Sequence, residues 1–305
     1  MSILAVGSFA LDSVVTPFGQ ADRVLGGSAV FFSAAASILT EVNVVGVVGD
    51  DFPLENLSFL KDRGVNLTGI ETEEGESFSW SASYHSDMNT RDTIETKLGV
   101  FEGFDPKIPE QFRQSDYVFL GNIDPVLQHK VLDQVTAPSL VACDTMNHWI
   151  ESEREELIRL LNRVDLLLVN DEEARQLSGE TGLVDASRWI QKRGPRMVVI
   201  KKGEHGAVLF SDDSIFSVPA FPLPCAFDPT GAGDAFAGGL LGHISEQGFA
   251  SVADLRRAMA FGSVLGSFAV QEFSIEGLRT LSKSEILERV RALKVMTTFD
   301  MNEEG

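Results

Sequence analysis

Short apolar runs alternate with amphipathic stretches through most of the chain. Ile3–Val6 reads as a first buried strand and Val42–Val48 as another, with the small, apolar stretch Ser28–Leu39 as a helix between them. Tyr117–Leu120, Leu140–Asp144, Leu166–Val169 and Met197–Lys201 repeat the strand pattern. Helix-like segments at Leu127–Val135, Glu155–Asn162 and Ala186–Arg193 precede the last three of them. Apolar strands separated by helices pair in parallel, with both sheet faces covered. The predicted fold is α/β: a doubly wound, mostly parallel sheet whose sites lie at the carboxyl ends of its strands.

Two regions break this rhythm, residues 13–25 and about 71–104. In the second, Phe78, Trp80, Ala82 and Tyr84 alternate with Ser and His, the pattern of a strand with one exposed face. These segments predict a small β lid inserted into a single domain spanning residues 1–305. The acidic tail from about Thr297 to Gly305 is expected to fray.

Composition narrows the partners. Hydrophobic residues make up 44% of the chain and charged residues 23%, enough apolar material for a large core. Against 25 Lys and Arg stand 45 Asp and Glu, a net charge of −20. Nucleic-acid affinity comes mainly from basic side chains displacing counterions, so that class is excluded, and anionic membranes are disfavoured for the same reason. No apolar run approaches the roughly 20 residues of a membrane helix. The apolar start lacks a basic residue before it and is interrupted by Asp12, so no secretory signal is read and a cytoplasmic protein is expected. Cys143 and Cys225 are too few for a disulfide framework or a Cys-rich zinc site, and are expected to be buried small apolar groups.

The densest chemistry lies at residues 228–239. Gly231 and Gly233 flank Ala232, and the helical run Ala235–Ile244 begins directly afterwards. A Gly-rich turn at a helix N-terminus exposes unpaired N–H groups beside the positive end of the dipole, which suits phosphate. Asp234 within that turn would compete with an anion. Its place makes sense if it accepts a proton from a nucleophile next to a phosphoryl group. The same pattern also fits a plain helix start with Asp234 as an early-turn charge. Asn170 and Glu173 lie one helical turn apart after a strand, which places an amide and a carboxylate on one face or forms a capping box. Val198–Lys201 and Ala207–Phe210 read as a hairpin around Gly203 and Gly206.

Asp228-Pro-Thr-Gly-Ala-Gly-Asp234-Ala-Phe resembles the signature of the ribokinase-like (PfkB) family of carbohydrate and nucleoside kinases. Val6-Gly-Ser-Phe-Ala-Leu-Asp12 resembles that family's first strand, Leu25-Gly-Gly-Ser-Ala29 its Gly-Gly hinge, and Val45-Gly-Val-Val-Gly-Asp-Asp51 its next strand and turn. Asn170-Asp-Glu-Glu173 matches its Asn-x-x-Glu motif and Gly203 to Gly206 its nucleotide-side turn. The resemblance implies ATP-dependent phosphoryl transfer to a hydroxyl of a small sugar or related polyol. It makes Asp234 the base and gives the N–H groups of Gly231, Ala232, Gly233 and Asp234 the role of an anion hole. It places Asn170, Glu173, Lys201 or Lys202, Gly203, Gly206 and Thr230 beside the nucleotide, with adenine near Ser263. Mg²⁺ would be met by Glu173 through water, because that ion takes few protein ligands. A K⁺ site is implied at Asp228–Thr230 and the segment after Ala269. On the acceptor side it implies Asp12, Gly26 and Gly27, and Asn122 is a further candidate contact. Asp144 to Asn147 lines the next strand end without an assigned partner.

One position departs from the family. Phe31 stands where many members carry an Asn that bonds a substrate hydroxyl, which predicts a flatter, more apolar wall shared with Trp80 or Tyr84, or else a packing residue. A nucleoside kinase is therefore the alternative acceptor reading. A catalytically silent nucleotide- or sugar-binding regulator is the alternative from another class, and the intact Gly-Ala-Gly-Asp argues against it. A dinucleotide oxidoreductase is disfavoured because no Gly-x-Gly-x-x-Gly follows the first strand. An exposed lid sheet carrying Phe78 and Trp80 would favour a homodimer through the lid.

Overall fold

The structure is a computed structural model and describes residues 1–211, 214–248 and 252–298. The expected fraying beyond residue 298 lies outside them. The chain begins with β1 (Ser2–Val6), β2 (Ala10–Thr16), β3 (Gly19–Gly26), α1 (Ser28–Ala36) and β4 (Glu41–Gly49). α2 (Ser58–Asp62) leads to β5 (Asn66–Glu73), followed by β6 (Ser79–Tyr84) and β7 (Arg91–Lys97). Regular alternation then sets in: β8 (Tyr117–Leu120), α3 (Pro125–Leu132), β9 (Leu140–Asp144), α4 (Asn147–Ser152), α5 (Arg154–Leu161) and β10 (Leu166–Asn170). It continues through α6 (Asp171–Ser178), α7 (Leu183–Gln191), β11 (Met197–Lys201), β12 (Ala207–Ser211) and β13 (Ser214–Val218). Four helices close the chain: α8 (Ala232–Gln247), α9 (Val252–Ala269), α10 (Glu276–Arg279) and α11 (Lys283–Thr297).

The main sheet has nine strands in the order β13-β12-β11-β10-β9-β8-β1-β4-β5. Pairing is parallel from β11 to β5, and β12 pairs antiparallel with both β11 and β13. Both faces are covered, as the continuous apolar strands require. Ile3 and Ala5 of β1 pack into one cluster with α1, α8 and α9, while Leu4 and Val6 pack into a second with α3, α5 and α7. Strand order reverses at β1, the switch point where sheets of this kind bind ligands.

Element boundaries moved for identifiable reasons. α3 starts two residues before the expected Leu127, because Asp124 caps Val126 N–H at 2.8 Å and Pro125 occupies the first helical position. α8 starts at Ala232 instead of Ala235, since Gly231 supplies the left-handed turn that opens it. The lid is a four-stranded sheet ordered β3-β2-β6-β7. It begins at Ala10, earlier than expected, and residues 71–73 belong instead to β5 of the main sheet.

The lid also corrects an expectation about its surface. Phe78 packs on Phe101 with ring centres 5.6 Å apart, and Ala82 and Tyr84 are buried. Trp80 on the same face is half-buried, as are the serines at 79, 81 and 83 that alternate with it, so the aromatic face is partly covered and not fully exposed. Both cysteines are free thiols; Cys143 is buried but Cys225 is only half-buried, against expectation. No helix among the described residues is long and apolar enough to cross a membrane.

Candidate active site

Parallel register brings three polar side chains to one edge. Asn170 at the end of β10 pairs with Lys201 at the end of β11, and Leu168 of β10 pairs with Asp144 at the end of β9. The first turn of α8 lies against this edge. Gly231 is its N-cap, with φ of 72° and no side-chain cap. A Cβ there would lie 2.2 Å from Phe31 Cγ, so both the backbone angle and the close ring demand glycine. The Ala232 N–H turns back to the Pro229 carbonyl at 3.2 Å. This reduces the expected four donors to three: the N–H groups of Gly231, Gly233 and Asp234 meet no neighbouring main-chain carbonyl among the described residues.

Charge is concentrated around this turn. The Lys201 ammonium bonds Asp144 at 2.6 Å, and a Cβ on Gly233 would stand 2.9 Å from it. The Asp234 carboxyl is pushed up to about 7, first by burial and then by the Asp144 charge, with Lys201 opposing. A carboxyl that exchanges its proton near neutrality is suited to general-base work.

Asp12, on β2, is buried and held against the Gly-Gly pair. A Cβ on Gly26 would lie 1.9 Å from its Oδ2, and the Gly27 N–H donates to it. Gly27 has φ of 95° and initiates α1. Burial pushes Asp12 up to about 8, with Asp228 and Asp234 adding repulsion. Asp228 accepts from the N–H groups of Thr230 at 2.9 Å and Ser274 at 3.1 Å. The Ser274 hydroxyl donates to the Leu25 carbonyl, which ties this loop to the hinge. Nothing in the sequence pattern marks Ser274.

The nucleotide-side residues fall into two groups. Asn170 and Glu173 form a complete capping box: each side chain accepts from the other's N–H at 2.7 Å. Burial pushes Glu173 up to about 7, with Lys201 opposing. A lone buried carboxylate of this kind fits an outer-shell role toward Mg²⁺, and the described residues hold no acidic, His or Cys cluster that could cage a metal by itself. Gly203 and Gly206 open the β11–β12 hairpin with φ of 53° and 79°, and Lys202 N–H bonds the Gly206 carbonyl at 2.7 Å. Ser263, however, donates to the Pro219 carbonyl at 2.7 Å, so its hydroxyl anchors α9 to the end of β13.

On the acceptor side one expectation changes and one stands. Phe31 is only 1% exposed and its ring supports Gly231, so it is a packing residue under the turn and not an open wall. Asn122 is half-buried, and its Oδ1 is buried without a partner. The lid reaches the site through Tyr84, which the sequence put forward as part of a wall but not as a polar contact, and through Asn89, which it did not mark. The Tyr84 hydroxyl meets that of Thr230 at 3.2 Å, and the Asn89 side chain rests on Gly203.

The family model described as pfkB family carbohydrate kinase matches residues 6–278. The chain belongs to that family. It is thus an ATP-dependent kinase that phosphorylates an alcohol group. This pfkB kinase is 28% identical over 250 residues to a cytidine kinase of Thermococcus kodakarensis, covering 80% of this chain and 89% of that protein. It is 36% identical over 259 residues to an aminoimidazole riboside kinase of Salmonella typhimurium, covering 80% and 81%. It superposes with a TM-score of 0.76 at 20% identity on a solved chain described as a ribokinase II from E. coli, in complex with ATP and Mg²⁺, over 95% of this chain and 99% of that one.

Proposed function

We propose that the acceptor is a nucleoside or closely related riboside, bound between the Gly-Gly hinge and the lid. The observation that carries this is the pairing of Asp12 with Trp80. They are partners in the parallel β2–β6 ladder, so a buried carboxylate and a half-buried indole stand side by side on one face. A carboxyl group hydrogen-bonds the vicinal hydroxyls of a ribose in either protonation state, while a base stacked on an aromatic ring gains roughly 1–3 kcal/mol. Similarity to kinases of cytidine and of aminoimidazole riboside supports the same class. Asn122 Oδ1 is an unmet acceptor for an N–H or O–H of this substrate.

Transfer then follows from the turn. Asp234 takes the proton of the acceptor hydroxyl, the freed oxygen forms a bond to the γ-phosphorus, and the bond to the β,γ-bridging oxygen breaks to release ADP. The transition state is loose and its charge is spread over the equatorial oxygens, so fixed donors aimed at them do most of the stabilising. Those donors are the N–H groups of Gly231, Gly233 and Asp234, reinforced by Lys201. Gly203 and Gly206 let the nucleotide approach the backbone closely. Mg²⁺, when bound with the nucleotide, neutralises phosphate charge, and Glu173 would orient its water shell.

A K⁺ ion beside Asp228, pairing of two copies along the open edge of β7, and residence in the cytoplasm belong to the same proposal. The free thiols are consistent with the last of these. The acceptor is tested by competition among cytidine, adenosine, aminoimidazole riboside, ribose, fructose and myo-inositol at equal concentration. A nucleoside or riboside is expected to have the highest kcat/KM. A free sugar or inositol as best acceptor would overturn the assignment.

A further inference from the structure

Asp144 and Lys201 close β9 and β11, with β10 between them, and their side chains reach across the sheet edge to meet at 2.6 Å. Their side chains are only 6% and 17% exposed. The second Asp144 oxygen accepts from the Thr145 N–H at 2.8 Å. Its carbonyl accepts from Gln128 at 3.1 Å, and that fully buried amide also holds the Gly121 carbonyl. Both carboxylate oxygens are thus engaged, which argues against Asp144 as a base or direct metal ligand. The ammonium it holds stands 2.9 Å from where a Gly233 Cβ would lie, beside the turn whose Gly231, Gly233 and Asp234 N–H groups meet no main-chain carbonyl among the described residues.

We propose that Asp144 is a positioning residue that holds the Lys201 ammonium against the Gly231–Asp234 turn, where it contacts the transferring phosphoryl group. This rests on the reading of that turn as the phosphoryl cradle. A lysine stem has many rotamers, and a point charge on such a stem is placed only if something fixes it. An ammonium has three donors, so one bond to Asp144 leaves others for phosphoryl oxygens. The site is otherwise acidic: Asp12 from β2 and Asp144 from β9 face Asp234, Asp228 from the preceding loop faces Asp12, and Lys201 from β11 also faces Glu173 on α6, which in turn faces Arg91 of β7. A Lys201 freed from Asp144 would swing toward these other carboxylates.

The test compares Asp144→Asn, Lys201→Met and the double variant in the full-length enzyme. The readouts are kcat, KM for ATP, ADP affinity by calorimetry, and melting temperature. Misplacing a catalytic group by about 1 Å can cost 100-fold, so each single variant should lose roughly 10–100-fold in kcat. ADP lacks the transferred group, so its affinity should change by less than about 3-fold. The double variant should be no slower than Lys201→Met, because Asp144 acts only through Lys201. Removing one partner of a buried pair can unfold a protein. If Asp144→Asn does not fold, Asp144→Glu keeps the charge, shifts the ammonium, and should lower kcat with KM unchanged. Undiminished kcat in the folded Asp144 variant, or a double variant much slower than Lys201→Met, overturns the proposal. A Gly233→Val control separates the two claims: if it stays active, the cradle reading itself has failed.

Discussion

Three buried carboxyls in the site are held far from their ordinary values: Asp12 at about 8, and Asp234 and Glu173 at about 7. The first cause in each is burial, which disfavours the charged form. For Asp234 the functional consequence is an acid limb in kcat/KM near neutrality instead of near 4, since only the ionised carboxylate can take a proton. The stability consequence has the opposite sense. A carboxyl whose folded pKa is raised stabilises the fold fully below its unfolded value, here 3.8 for Asp12, and that contribution is lost as pH rises through about 8. Asp12→Asn removes the penalty while keeping an acceptor for the Gly27 N–H. Its melting temperature should therefore rise at pH 8 and change less at pH 5, by roughly 2–4 °C for each kcal/mol relieved. Acceptor KM should rise at the same time. Calorimetric scans at the two pH values check this, and an equal or larger gain at pH 5 would contradict it.

The turn that opens α8 shows how far the sequence could be read. Gly231, Gly233 and Asp234 were legible because a Gly-rich start of a long apolar helix has few physical uses, and the family resemblance selected one of them. What could not be read was who supports the turn. Phe31 suggested a substrate wall because it stands where many family members carry a hydroxyl-bonding Asn; only the packing of α1 under α8 places its ring on Gly231. Asp144 was visible as a strand end, yet its partner lies 57 residues away and emerges only from sheet order. The Asp124-Pro125 start of α3 was a local signal and was overlooked. Gly233→Val tests the turn as a unit. A β-branched side chain there would collide with the Lys201 ammonium and crowd the phosphoryl site, so activity should fall below detection in a folded protein. Full activity, with folding confirmed by circular dichroism, would mean that the turn does not cradle phosphate.

Across the molecule, the proposed phosphoryl machinery lies along one sheet edge, and the lid is built from two insertions, β2 and β3 after β1 and β6 and β7 after β5. The alternation of strands and helices made seven strands of the main sheet readable but not β5 or β13, and the lid's inner and outer faces depended on the fold of residues 99–103 beneath Phe78. The lid is joined to the catalytic turn by the Tyr84–Thr230 hydroxyl pair. One such hydrogen bond is worth about 0.5–1.5 kcal/mol, so Tyr84→Phe should lower kcat/KM for the acceptor about 2- to 10-fold and the melting temperature by no more than roughly 6 °C. Unchanged kcat/KM would leave the contact without a role in closure. In the proposed mechanism all of these parts converge on a single proton transfer from the acceptor to Asp234. The most direct measurement is ADP release with cytidine and ATP by wild type and Asp234→Asn, alongside ATP affinity by calorimetry. Loss of a general base should lower turnover at least ~100-fold, with ATP still bound as in wild type; wild-type turnover in the folded variant would contradict the account.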